Sequence, residues 1–164
     1  MIRKTVLIPI SILFFFLIVG LFIYDDFGVT VDEPNQILAG HVIYKYLCTK
    51  FGQPVPSPIV DVPELANFKN SFYGQAATFP TVLIEAIHGF SMDTSTIIHL
   101  RHLWNFLTYF SGLCCFTLII GDIYNSHWNS TLGLLLMIFL PRIFGDIFYM
   151  ERQIYKRLLV SCCD

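Results

Sequence analysis

The chain has 164 residues, of which 55% are hydrophobic and 16% aromatic while only 13% are charged, about half the charged share of an ordinary soluble domain. With a mean hydropathy of +0.63, it carries more apolar surface than a globule of this length can bury, so composition points to a bilayer. A net charge of −2 leaves no basic field for nucleic acid, and that class of partner is excluded.

Residues 5–24 form an uncharged run of 20 residues between Arg3-Lys4 and Asp25-Asp26. As a helix it is about 30 Å long, the thickness of the hydrocarbon layer. It is longer than the apolar part of a secretory signal and leads into Phe22-Ile23-Tyr24-Asp25 rather than small residues, so a retained anchor is expected, with Arg3 and Lys4 cytoplasmic. Residues 25–100 are too polar to span continuously and too apolar for a plain linker. Within them, residues 34–48 read as an amphipathic helix, with Leu38, Val42, Tyr46 and Ile43, Leu47 at helical spacing. Residues 51–63 hold Pro54, Pro56, Pro58 and Pro63, which predicts neither strand nor helix. Residues 79–90 form a second apolar helix, interrupted by Pro80, Glu85 and His88 and short for a span, so an interfacial position is expected.

Residues 103–121 are a second uncharged stretch, bounded by Arg101-His102 and Asp122. A third runs over 129–149, with Arg142 and Asp146 four apart near its far end, a spacing at which they pair on one helical face. The short connection 122–128 makes these two spans an antiparallel pair, with Gly112, Gly121 and Gly133 suited to close helix packing. The expected architecture is all-α: a polytopic membrane protein with about three transmembrane helices plus one or two amphipathic juxtamembrane helices in a long outer loop. It divides into an anchor (1–24), an extracytoplasmic loop (25–100), a transmembrane pair (101–149) and a short atypical tail (150–164).

The acidic segment directly after the first span carries Asp25, Asp26, Asp32 and Glu33, followed by Pro34. Carboxylates beside a first-turn proline make a good helix start, because they complement the helix dipole and cap free N–H groups. The five histidines (His41, His88, His99, His102, His127) are scattered without ligand spacing, and the cysteines (Cys48, Cys114, Cys115, Cys162, Cys163) form no C-x-x-C pair. Neither a metal site nor a cofactor is expected, and both residue types read as packing groups.

Four features taken in order resemble the N-terminal third of the GT-C membrane glycosyltransferases, in the branch of protein O-mannosyltransferases and lipid-linked-sugar transferases. A first helix leads into Gly28-x-Thr30-x-Asp32-Glu33-Pro34 and then Gly40; Phe72-Tyr73-Gly74 precedes an apolar helix; Arg101 begins a span; and residues 132–140 run into Pro141-Arg142-Ile143-Phe144-Gly145. The resemblance implies a polyprenyl-phosphate-linked sugar donor and inverting transfer to an extracytoplasmic acceptor. It implies Asp32 as catalytic base, Glu33 as the carboxylate that holds the acceptor or the neighbouring helix, and Arg101 and Arg142 as the donor-phosphate-binding residues. Ordinary interfacial anchoring is the competing reading of both arginines.

The sequence departs from that family after Arg142. A Lys-Asp-bearing second outer loop is expected there, but residues 149–164 read YMERQIYKRLLVSCCD. The expectation is therefore a truncated or frame-shifted fragment, inactive alone, in the cell membrane as a multi-pass protein. With three spans the outer segment is acidic, yet the tail with Arg152, Lys156 and Arg157 also falls outside, against the orientation rule. Counting residues 79–90 as a fourth span removes that conflict. The non-catalytic alternative is a small multi-span protein that packs against a membrane-protein partner, with lipids as its surroundings in either case.

Overall fold

A computed structural model describes residues 7–30, 33–68 and 78–148, with Arg142 and Asp146 described by backbone alone. Every α-element among them is a helix: α1 (Leu7–Ile23), α2 (Glu33–Lys50), α3 (Phe79–Ile87), α4 (Thr94–Tyr124), α5 (His127–Phe139) and α6 (Pro141–Asp146), with 3-10 turns at Ser57–Ile59 and Leu65–Asn67. The fold is all-α, as expected. The chain forms two compact units, one of residues 1–28 with 102–164 and one of residues 29–101.

Among the described residues only α4 is long and apolar enough by length and composition to cross a membrane; α1 is apolar but has 17 residues. At 1.5 Å per residue α1 is about 25 Å long, the lower end of what a span needs. The expected third span is not continuous. Its helix stops at Phe139, Leu140 is extended (φ −69°, ψ 108°), and Pro141 begins α6. Proline cannot donate to the preceding turn and pushes the residue before it out of the α region, which breaks the span there. Helix α3 has nine residues and is only about 14 Å long, short for a span, as residues 79–90 were expected to be.

The first unit packs around aromatic rings. Phe16 of α1, Phe106 and Leu113 of α4, Leu134 of α5 and Ile147-Phe148 form its core. The Phe106 ring stacks on Phe148 at 5.5 Å and 9°, and Phe148 stacks on Phe27 at 4.2 Å. Gly20 is where α1 passes closest, since a Cβ there would lie 2.0 Å from Phe106 Cζ. Two of the three glycines expected to serve packing do so: a Cβ on Gly121 would meet Ser130 and one on Gly133 would meet Phe116, whereas Gly112 has nothing within 4 Å. Polar groups in this apolar setting are closed locally. Ser130 donates to the Thr117 carbonyl at 2.6 Å, and the Tyr109 hydroxyl donates to the Met137 carbonyl at 3.1 Å, in the last turn of α5 where carbonyls lack helical partners.

In the second unit α2 is a spine, and four of its polar side chains each hold a different segment. Glu33 accepts from the Thr30 N–H, Gln36 accepts from Arg101 at the start of α4, His41 joins Glu85 of α3, and Lys45 donates to the carbonyls of Val60 and Val62. The expected Leu38/Val42/Tyr46 stripe is the buried face only at Val42. Tyr46 is 42% exposed, while Glu33, Gln36, Ala39, Gly40 and Val42 are buried. The reason is close approach: a Cβ on Gly40 would lie 2.6 Å from Val82 Cγ2, so the contact with α3 selects the smallest residue rather than the most apolar. The proline-rich stretch, expected to be irregular throughout, tightens into a 3-10 turn at Ser57–Ile59 that buries Ile59.

Helix α3 is turned inside out relative to a soluble helix. Thr81, Val82 and Glu85 are buried, while Leu83 and Ile87 are 42% and 82% exposed. Its end is a Schellman motif, with Gly89 (φ 65°) donating to the Ala86 carbonyl and Phe90 to that of Glu85.

Candidate functional site

The four sequence-expected site residues divide as follows. Asp32 lies outside the described residues. Arg142 falls in α6 of the first unit, with its side chain not described; the expected Arg142–Asp146 pairing falls outside the described side chains for the same reason. Phe72-Tyr73-Gly74 and the tail from Tyr149 also lie outside the described residues. Glu33 and Arg101 both belong to the second unit and are both 3% exposed.

Glu33 is built from local sequence. Its Oε2 accepts the Thr30 N–H at 2.8 Å while its own N–H donates to the Thr30 carbonyl at 3.2 Å. These two bonds tie Thr30 and Glu33 to each other reciprocally at the entrance to α2. Thr30 and Glu33, which bracket Val31-Asp32 in sequence, are thus bonded to each other. The dipeptide that the sequence offers as a catalytic pair therefore contains one carboxylate with a structural occupation. The T-x-x-E spacing was the sequence signal for that role.

Arg101 is 65 residues from Gln36 in sequence, and its Nη2 donates to Gln36 Oε1 at 2.8 Å. Gln36 is 3% exposed and one helical turn beyond Glu33 on α2. The guanidinium is therefore enclosed and occupied. In this arrangement it fixes the N-terminal half of α2 against the first turns of α4.

A second polar cluster is absent from the sequence expectations. His41 Nε2 lies 2.7 Å from Glu85 Oε2, with Glu85 1% exposed and the His41 side chain 17% exposed. Phe90 meets the His41 ring edge-on at 5.5 Å and the Tyr44 ring at 5.3 Å. Phe90 sits at φ 57°, a left-handed conformation that is unfavourable for a bulky side chain. The Schellman turn and the two ring contacts hold it there. Glu85 Oε1 accepts no hydrogen bond from the described residues. Glu85 was legible only as an interruption of an apolar helix. A carboxylate at such a position demands a partner, and the dispersed histidines supply it. Burial holds the nearby Tyr44 phenol above its ordinary range, and Cys48 adds to the effect.

Among the described residues no group of three or more His, Cys, Asp or Glu side chains is arranged to hold a metal ion. Comparison with known protein families, with curated proteins and with solved structures gives no match. The functional reading therefore rests on the chemistry and arrangement of the residues themselves.

Proposed function

We propose that this chain is the N-terminal part of a GT-C-type membrane glycosyltransferase. In this reading it is a polytopic cell-membrane protein with its N-terminus in the cytoplasm and residues 25–100 outside. The observation that carries it is the arrangement of α2. Its first turn begins one residue after Asp32, and the same helix, one turn on, holds Arg101 through Gln36. The outward apolar face of α3, with Leu83 and Ile87 exposed, supports a helix lying at a bilayer surface.

The reaction in this reading is an inverting transfer. The Asp32 carboxylate takes the proton of an acceptor hydroxyl. The acceptor oxygen attacks the anomeric carbon of a polyprenyl-phosphate-linked sugar from the face opposite the leaving group, and the anomeric C–O bond to phosphate breaks. The bond's electrons leave on the lipid phosphate, whose negative charge needs cations, and Arg101 and Arg142 are the residues proposed to meet it. Glu33 fixes the loop that carries Asp32. No metal or cofactor enters.

A second reading has its own support. Leu132, Leu136 and Phe139 of α5 form an exposed i, i+4, i+7 stripe at 59%, 61% and 73%, and Arg101 and Glu33 are buried like structural groups. In that reading the chain is a non-catalytic membrane protein whose α5 stripe meets a partner span.

Sequencing the gene through and beyond codon 164 and translating all three frames separates the two. The transferase reading expects a Lys-Asp-bearing loop followed by several apolar spans in one frame from about codon 150. Absence of further apolar spans in every frame removes that reading.

A further inference from the structure

We infer that the turn joining α4 to α5 is a membrane-interface anchor, whose Tyr124 and Trp128 seat in the lipid headgroup layer on the side where the chain begins. The inference rests on the reading that the first unit is embedded in a bilayer and takes nothing from the transferase chemistry.

The turn is built by local sequence. Helix α4 runs to Tyr124, Asn125 takes a left-handed conformation (φ 45°) that ends it, and α5 begins at His127. Asn accepts that conformation more readily than most side chains, so the two helices reverse tightly here. Tyr124 and Trp128 stand on either side of the reversal and are 60% and 69% exposed, although tryptophan is highly buried on average in soluble domains. At the tip their exposed neighbours are Asp122, Asn125 and Asn129. Away from the tip along the same two helices the exposed residues are Leu118, Ile119, Leu132 and Leu136. The two rings thus mark the border between an apolar band and a polar end, where amphipathic aromatic side chains gather at a bilayer surface.

Length and direction support the same placement. Tyr124 is 20 residues beyond Trp104 on α4, about 30 Å of helix and the thickness of the hydrocarbon layer. Helix α1 runs antiparallel to α4, because Gly20 closes on Phe106 while Phe16, one turn earlier, meets both Phe106 and Tyr109. Leu7 at the start of α1 therefore lies about 20 Å from Gly20 toward the end that carries Tyr124. Arg3 and Lys4 precede Leu7 in sequence. A basic pair entering at the same end as the aromatic pair suits a cytoplasmic headgroup layer, whose anionic lipids attract it.

The test is tryptophan fluorescence of the full chain in phosphatidylcholine vesicles. The quenchers are lipids brominated near the carbonyl end or near the methyl end of their chains, and aqueous iodide. The chain holds two tryptophans, Trp104 and Trp128, so Trp104→Phe reports Trp128 directly. Trp128 is expected to be quenched more strongly by the shallow bromines than by the deep ones, with iodide reaching it in part. Adding Trp128→Phe and Leu132→Trp to that variant moves the ring one turn along α5, about 6 Å deeper, at another exposed position, and is expected to shift quenching toward the deep bromines. In a chain that resists carbonate extraction, three results at Trp128 overturn the proposal: strongest quenching by the deep bromines, quenching by iodide alone, or quenching by neither, the last meaning that protein covers it. An unshifted order in the Leu132→Trp chain also overturns it. Extraction of the wild-type chain by carbonate removes the embedded reading and the proposal together. If Trp104→Phe does not fold, the wild-type signal less that of Trp128→Phe decides.

Discussion

Replacing Gly20 by alanine tests the packing of the first unit at its tightest point. The added Cβ would stand 2.0, 2.2 and 2.7 Å from three atoms of the Phe106 ring, where ordinary carbon contacts are about 3.5–4.0 Å. The ring must therefore retreat by roughly 1.5 Å. It has nowhere to go, because Phe106 is 0% exposed, with Phe16 at 5.8 Å, Phe110 at 6.2 Å and Phe148 stacked at 5.5 Å. The cost falls at the upper end of overpacking, about 3 kcal/mol, offset by at most about 1 kcal/mol from the better helix propensity of alanine. Denaturation of the full chain in detergent, followed by the fluorescence of Trp104 and Trp128, reads the change. Gly112→Ala, with nothing within 4 Å of its Cβ, is the control and is expected to be neutral or slightly stabilising. Combining Gly20→Ala with Phe106→Leu makes room for the methyl and is expected to recover part of the loss as a coupling energy. A Gly20→Ala chain within about 0.5 kcal/mol of wild type, or a double variant no better than the sum of its parts, refutes the reasoning.

Three further predictions concern the second unit. Either His41→Ala or Glu85→Ala is expected to cost about 2–3 kcal/mol, because each leaves a buried polar partner unsatisfied, and the double variant is expected to cost clearly less than their sum; full additivity in a double-mutant cycle contradicts the pair. Glu33→Gln retains an acceptor for the Thr30 N–H and is expected to keep the start of α2, whereas Glu33→Ala loses about 1 kcal/mol, measurable as faster amide exchange in the first turn of α2. Asp93 caps α4, accepting from the Thr96 hydroxyl and N–H, and these bonds hold its carboxyl below the usual range. A lowered folded-state pKa contributes stability above the unfolded value, lost as pH falls through about 4 and below. Protection of the amides of residues 94–97, exchange taken relative to the intrinsic rate at each pH, is therefore expected to fall with acid in wild type and to be pH-insensitive over that range in Asp93→Ala.

The helical class was legible because apolar runs of the right length recur: α1 follows its run closely at both ends, whereas α4 begins nine residues before the uncharged stretch 103–121 and ends three after it. The third span was not legible as broken, since composition over 129–149 is mostly apolar and only Pro141 marks the interruption at Leu140. The inner face of α2 was missed for a physical reason: hydrophobic periodicity assumes that the buried stripe is the most apolar one, and here closeness to Val82 selects Gly40 while buried polar groups do the tethering. Of the candidate site, Glu33 was found by its charge but its bond to Thr30 is local capping chemistry. The Gln36–Arg101 bond joins residues 65 apart and leaves no spacing signal. Glu85 and His41 are likewise 44 residues apart, and neither is conspicuous without the other.

The central claim is that Asp32 is the base of a lipid-linked sugar transfer. Its most direct test is transfer of labelled sugar from a polyprenyl-phosphate donor in membranes that express the gene with any further spans in frame, wild type against Asp32→Asn, at matched protein levels. The account predicts transfer by the wild type and its loss in Asp32→Asn, with the protein still membrane-inserted. Transfer that persists in Asp32→Asn, or a wild type with all its spans that transfers no sugar from such donors, contradicts it.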